Sequence, residues 1–185
     1  ELNQRFKNKE EANRFLESCK DASFTIRDIT TRPQKRVPAA PFTTSTLQQE
    51  AAHKLGFTVA QTMMIAQRLY ESGRITYMRT DSVNLSSLCI NASTTVIKEL
   101  MGERYVKSRQ FHTKTKGAQE AHEAIRPTYM EQTNIEGTPQ ERRLYDLIWK
   151  RTVASQMADA ELEKTTANIQ ISGQDVTFVA TGEVI

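Results

Sequence analysis

The stretch ANIQISGQDVTFVA, Ala167 to Ala180, decides the fold class. Apolar residues take every second position on both sides of a Ser-Gly-Gln-Asp turn. Ala167, Ile169 and Ile171 precede it, and Val176, Phe178 and Ala180 follow. A period of two on either side of a Gly-containing polar cluster is a β-hairpin. Just upstream the period changes. In TPQERRLYDLIWKRTVAS, Thr138 to Ser155, the residues Tyr145, Trp149 and Val153 share one helical face. Thr138 stands at the N-cap, Pro139 at the first helical position and Glu141 at the capping-box position, so the start of this helix is marked three times over. A long helix running into a hairpin implies an α+β chain.

The other end mirrors this arrangement. KNKEEANRFLESCK predicts a short amphipathic helix with Ala12, Phe15, Leu16 and Cys19 on one side. In SFTIRDIT, Phe24 and Ile26 alternate, which predicts a strand. TRPQKRVPAAPF carries three of the five prolines, a linker composition and a domain boundary. Helices follow. Ser45 with Gln48, or Thr46 with Gln49, offers a capping box before Leu47, Ala51 and Leu55, and Gly56 stops the run. Thr58 with Gln61 repeats the device before Val59, Met63, Ala66 and Tyr70, ending at Gly73. LSSLCINASTTVIKELMG predicts a third helix. The expectation is a mainly helical domain, residues 39–160, inserted into a β-rich one formed by residues 1–38 and 161–185.

Composition narrows the function classes. The chain has 185 residues, 38% hydrophobic and 25% charged, which suits a globular core. No run approaches the roughly 18 apolar residues of a membrane span, and no membrane partner is expected. No secretory leader is visible, and the start at Glu1 without methionine points to a piece of a longer polypeptide. Cys19 and Cys89 are far apart with no histidine at zinc-site spacing, as expected of two reduced thiols in a cytoplasmic protein. Charge is uneven. Seven Lys/Arg against two acids lie between Arg32 and Thr80, and five bases with His112 but no acid lie between Arg104 and Lys116. From Asp159 to Ile185 the sign reverses, with five acids and one lysine. A solvated face or a polyanion-binding middle accounts for such runs.

The candidate chemistry lies in LYESGRITYMRTDSVNLS, Leu69 to Ser86. A phenol with a pKa of about 10 is a weak nucleophile unless its anion is stabilised. Two residues after Tyr77, Arg79 offers a permanently charged fork of donors suited to phosphate. Thr76, Thr80 and Ser82 add hydroxyls, Asp81 is placed to hold an arginine, and Gly73 permits the sharp turn that frees the segment. The residues alone leave two readings open: a tyrosine attacking a phosphodiester, and a loop tyrosine beside a surface arginine.

QRLYESGRITYMRTDSVNLS resembles the active-site segment of the type IA DNA topoisomerases. Its Ile-Thr-Tyr-Met-Arg-Thr-Asp-Ser form is most similar to that of bacterial topoisomerase I. APFTTSTLQQEAAHKLGF resembles the family's entry into the same domain, and AQEAHEAIRPT its downstream histidine motif. The resemblance implies that Tyr77 forms a 5′-phosphotyrosyl bond to one DNA strand and that Arg79 contacts the scissile phosphate. It further implies phosphate-binding roles for His122, Arg126 and Thr80, and supporting roles for Gln67, Glu71 and Asp81. A buried structural role for His122 and a structural ion pair for Arg126 stay open, and His53 and His112 match no catalytic motif. The family's Mg²⁺-binding Asp-x-Asp-x-Glu pattern, borne on an N-terminal nucleotidyl-transferase-like domain, does not occur in this sequence. The implied reading is the hinge and gate portion of an enzyme acting on single-stranded and negatively supercoiled DNA. Its Mg²⁺ ligands then lie outside this chain, which alone would be inactive. A DNA-binding module without catalysis is the alternative. Either would be cytoplasmic and nucleoid-associated.

Overall fold

The computed structural model describes residues 1–113 and 122–185, and the chain divides into two compact units. The first comprises residues 1–36 and 160–185. Its sheet has three antiparallel strands in the order β1 (Phe24–Arg36), β2 (Ala160–Ile171) and β3 (Thr177–Val184). The β2–β3 hairpin turns at Ser172–Gly173, as its alternation predicts. Helix α1 (Lys9–Ser18) is capped by Asn8 and buries Phe15 against Phe6 and Phe178, at ring separations of 5.0 and 6.4 Å. Leu16, expected on the same buried side, is exposed.

The proline-rich stretch differs from its expected linker role, because β1 continues through it to Arg36. Proline lacks an N–H and is excluded from central strands, but β1 is an edge strand. Pro33 therefore pairs in register with Glu163 at little cost. The same pairing redistributes the charge runs. Lys35 lies 3.5 Å from Glu161 and Arg36 2.6 Å from Glu183, so part of the basic tract neutralises the acidic tail. Lys107 and Arg109 both pair with Asp159. Lys114 and Lys116 of the second tract fall outside the described residues. Five of the ten described bases in these runs, Lys35, Arg36, Lys54, Lys107 and Arg109, are thus held in ion pairs among the described residues.

The second unit, residues 37–159, holds α2 (Thr44–Leu55), α3 (Val59–Glu71), α4 (Ser87–Leu100), one 3-10 turn (Glu103–Tyr105) and α5 (Pro139–Ser155). Helix α5 packs against α2, α3 and α4 and buries Leu144, Tyr145, Ile148, Trp149 and Val153. Thr138 and Glu141 form the anticipated capping box. Helix α2 starts earlier than anticipated, because its cap is Thr43 with Thr46 closing the box. A threonine three residues on can substitute for Glu or Gln, since its hydroxyl reaches the N-cap N–H at 2.9 Å. The buried face of α3 is also rotated from the expected stripe. Thr62, Ile65, Ala66 and Leu69 face the core, while Val59 and Tyr70 are exposed. The hydroxyl of Thr62 bonds its own helix at Thr58 O (2.9 Å), which lets a polar residue hold a core position. No helix among the described residues is long and apolar enough to cross a membrane.

Two hydrogen bonds from α5 hold the loop that follows the site. Tyr145 Oη donates to Gln132 O (2.6 Å), and Trp149 Nε1 donates to Met130 O (2.8 Å). Burial pushes the Tyr145 phenol up to about 12. Removing that hydroxyl leaves a carbonyl short of its donor, so Tyr145→Phe should cost about 1–2 kcal/mol in urea denaturation. Spectrophotometric titration of the parent should show one tyrosine ionising later than the others.

Candidate active site

Two residues beyond the end of α3 stands Gly73, whose φ of 70° lies in the left-handed region that glycine enters freely. Gly73 and Arg74 donate to Tyr70 O and Leu69 O at 2.8 Å each, and the chain reverses. It then pairs with a segment far along the sequence. Thr76 N–H donates to Arg126 O (2.9 Å), and Thr128 N–H donates to Arg74 O (3.0 Å), around an antiparallel bridge between Ile75 and Pro127. The Thr76 hydroxyl donates to Ala124 O (2.7 Å) and accepts from Arg126 N–H (3.0 Å). This short ladder carries the 122–128 segment to the tyrosine.

Burial alternates along the ladder's exit. Ile75, Met78, Thr80 and Ser82 are buried, so Tyr77, Arg79 and Asp81 point outward. Tyr77 is 46% exposed and meets Tyr70 edge-on, with ring centroids 5.2 Å apart at 69°. Such a pair is worth about 0.5–1.5 kcal/mol beyond its buried area, enough to bias the ring. Tyr77 lines a cleft of about 330 Å³ with Thr76, Thr80, His122 and Glu123. Arg79 lines a second cleft of about 500 Å³, bounded by Thr43 to Ser45, Asp81, Thr80 and His122. Thr80 and His122 thus border both clefts. His122 is exposed, not a core histidine, and Arg79 makes no ion pair with any described residue.

The remaining candidates are placed less directly. Thr80 is 8% exposed, and its hydroxyl accepts from Ser82 N–H (3.0 Å). Asp81 is exposed and, among the described residues, holds no arginine. Gln67 donates to Glu71 (2.6 Å), so the two are tied to each other on α3. Arg126 forms an ion pair. Its guanidinium reaches Glu123 at 2.5 Å and the carbonyls of Pro127 and Thr128, while its buried Nε has no partner among the described residues. His53 and His112 are exposed and line neither cleft. Of the histidine motif, residues 118–121 lie outside the described residues.

Two supporting residues escaped the sequence reading. Glu123 accepts from Ser86 N–H (2.6 Å) as well as pairing with Arg126, and so anchors the residue next to His122. Thr44 bonds the Met78–Thr80 backbone, which nothing in the sequence reveals. Among the described residues no three His, Cys, Asp or Glu side chains are placed to hold a metal ion. The described residues alone therefore supply no such cluster for Mg²⁺.

A family model described as DNA topoisomerase matches residues 1–185. The chain belongs to the type IA DNA topoisomerase family. It is 48% identical over 190 residues to DNA topoisomerase 1 of Mycolicibacterium smegmatis, covering 94% of this chain and 20% of that protein. Against DNA topoisomerase 1 of Zymomonas mobilis it is 48% identical over 180 residues, covering 96% of this chain and 15% of the relative. The full-length topoisomerase I structure from Thermotoga maritima matches with a TM-score of 0.75 at 36% identity, over 98% of this chain and 31% of that one. The α+β architecture agrees with this neighbour. The chain spans about a fifth of the length of its type IA topoisomerase relatives.

Burial opposes ionisation of Glu123, yet the Ser86 and Arg126 hydrogen bonds outweigh it and hold the carboxyl below its ordinary 4.5. A lowered folded-state pKa contributes stability above the unfolded value, lost as pH falls through the folded one. Glu123→Gln should therefore lower stability by about 1–2 kcal/mol at pH 7. In denaturant melts across pH, the gap to the parent should narrow as pH falls below the carboxyl's ordinary 4.5 and through its lowered folded-state value.

Proposed function

We propose that Tyr77 is the nucleophile of a DNA-cleaving centre shared between this chain and the rest of a longer type IA topoisomerase. The observation that carries this reading is the convergence of Tyr77, Arg79, Thr80 and His122 on two adjoining clefts, although His122 is far from Tyr77 in sequence. The phenolic oxygen bonds the phosphorus and the bond to the 3′ oxygen breaks. The phenol loses its proton, and the leaving oxygen gains one to become a 3′-hydroxyl. The tyrosyl ester retains the energy of the phosphodiester, so resealing is the same step reversed and needs no ATP. Arg79 and His122 meet the charge on the non-bridging oxygens, where fixed donors are most effective. Thr80 lines the path of the strand, and Arg126 acts through Glu123.

In this reading the substrate is single-stranded or negatively supercoiled DNA. The helical unit is the moving part of a gate through which a second strand passes, relaxing the supercoils. Mg²⁺ and the acid that protonates the leaving oxygen belong to another domain, so the 185-residue chain alone does not relax DNA. The protein works in the cytoplasm, on the nucleoid.

The test uses the full-length protein with an end-labelled single-stranded oligonucleotide. It should give an adduct that survives denaturation, abolished in Tyr77→Phe while oligonucleotide binding stays within about threefold. Binding without any adduct in the parent would instead favour a DNA-binding module. Mg²⁺-dependent relaxation by residues 1–185 alone would overturn the shared-site reading.

A further inference from the structure

The backbone on both sides of Arg79 is fastened to one side chain on a different element. Thr44 is the first residue of α2, just inside the Thr43 cap. Its hydroxyl donates to Met78 O at 2.8 Å, with Thr80 O a second acceptor at 3.1 Å, and accepts from Thr80 N–H at 2.8 Å. Its own N–H donates to Thr80 O at 2.9 Å. A threonine hydroxyl has one hydrogen and two lone pairs, so this pattern uses the donor and one acceptor position fully.

We infer that Thr44 is the positioning residue for Arg79, an assignment that rests on the role proposed above for Arg79. The guanidinium is exposed and has no carboxylate partner among the described residues, so its side chain has no ion pair to orient it. Its starting point is set by the backbone between Met78 and Thr80, both buried. Thr44 ties that backbone to the end of a twelve-residue helix. A site held on a helix is more precise than one held on a loop. Without the hydroxyl, Met78 C=O and Thr80 N–H lose their partner in a buried setting, and the peptide units flanking Arg79 must shift to find others. Such a shift disturbs catalysis more than binding, because alignment with the scissile phosphate matters only when charge develops there.

The experiment measures adduct formation by the full-length protein carrying Thr44→Ala, Thr44→Ser, Arg79→Ala or Thr44→Ala with Arg79→Ala. Alanine and serine both lack the methyl group and differ by one oxygen, so the pair isolates the hydroxyl. Thr44→Ala should lower kcat about tenfold to a hundredfold with little change in KM, and Thr44→Ser should stay within about threefold of the parent. In the Arg79→Ala background, Thr44→Ala should cost nothing further, because the group it positions is gone. A purely structural threonine would cost the same factor in both backgrounds, and that result overturns the inference. So does a serine variant no better than alanine, or an alanine variant with parental kcat. If Arg79→Ala itself leaves adduct formation unchanged, the proposed role of Arg79 fails, and the Thr44 assignment with it. An effect of Arg79 without one of Thr44 sinks only the latter. Should Thr44→Ala fail to fold, Thr44→Cys replaces it, with a kcat between those of parent and Arg79→Ala expected and a parental kcat overturning.

Discussion

One threonine side chain joins the two halves of the candidate site. Thr76 donates to one carbonyl and accepts one amide of the 124–126 segment, and its own N–H bonds Arg126 O. These contacts help close a loop of nearly fifty residues. Loop-closure entropy rises only slowly with length, so a few well-made hydrogen bonds beside a buried Ile75–Pro127 contact suffice. Once the ladder forms, the alternation of buried and exposed residues turns Tyr77 and Arg79 outward and delivers His122 to the same surface.

Behind the ladder, the stabilising terms differ in size. A capping box such as Thr138 with Glu141 contributes about 1 kcal/mol, whereas each large side chain buried by α5 contributes about 1.5–3 kcal/mol. Packing therefore determines where α5 lies, and capping determines where it begins. The polar bonds from Tyr145 and Trp149 add direction to that packing, by fixing the Met130 and Gln132 carbonyls just after the 126–128 segment. Aromatic residues combine both functions because each carries one polar atom on a large apolar body.

Features set by local chemistry were legible in the sequence. Thr138-Pro139 with Glu141 marks a helix start whatever surrounds it, and the alternation around Ser172–Asp175 marks a hairpin. Tyr77 and Arg79 stood out because their spacing and residue types are themselves the signal. What stayed hidden depends on partners distant in sequence. Pro33 reads as a linker until β1 is known to be an edge strand. The buried face of α3 differs from the expected stripe because α5 and α2 choose it. Lys35 and Arg36 look like part of a DNA-facing tract until β2 and β3 bring Glu161 and Glu183 beside them. Thr44 is a clear case: in sequence it is one of several threonines near a helix start, and only the folded chain shows what its hydroxyl holds.

The single tryptophan has a practical consequence. Trp149 sits in α5, buried, with its indole N–H bonded to the loop continuing from the ladder. The sheet unit carries no tryptophan, so intrinsic emission comes from the helical unit alone. Far-ultraviolet dichroism sums both units. The molecule thus contains its own optical means of asking whether its two parts melt together or in turn, without an attached dye.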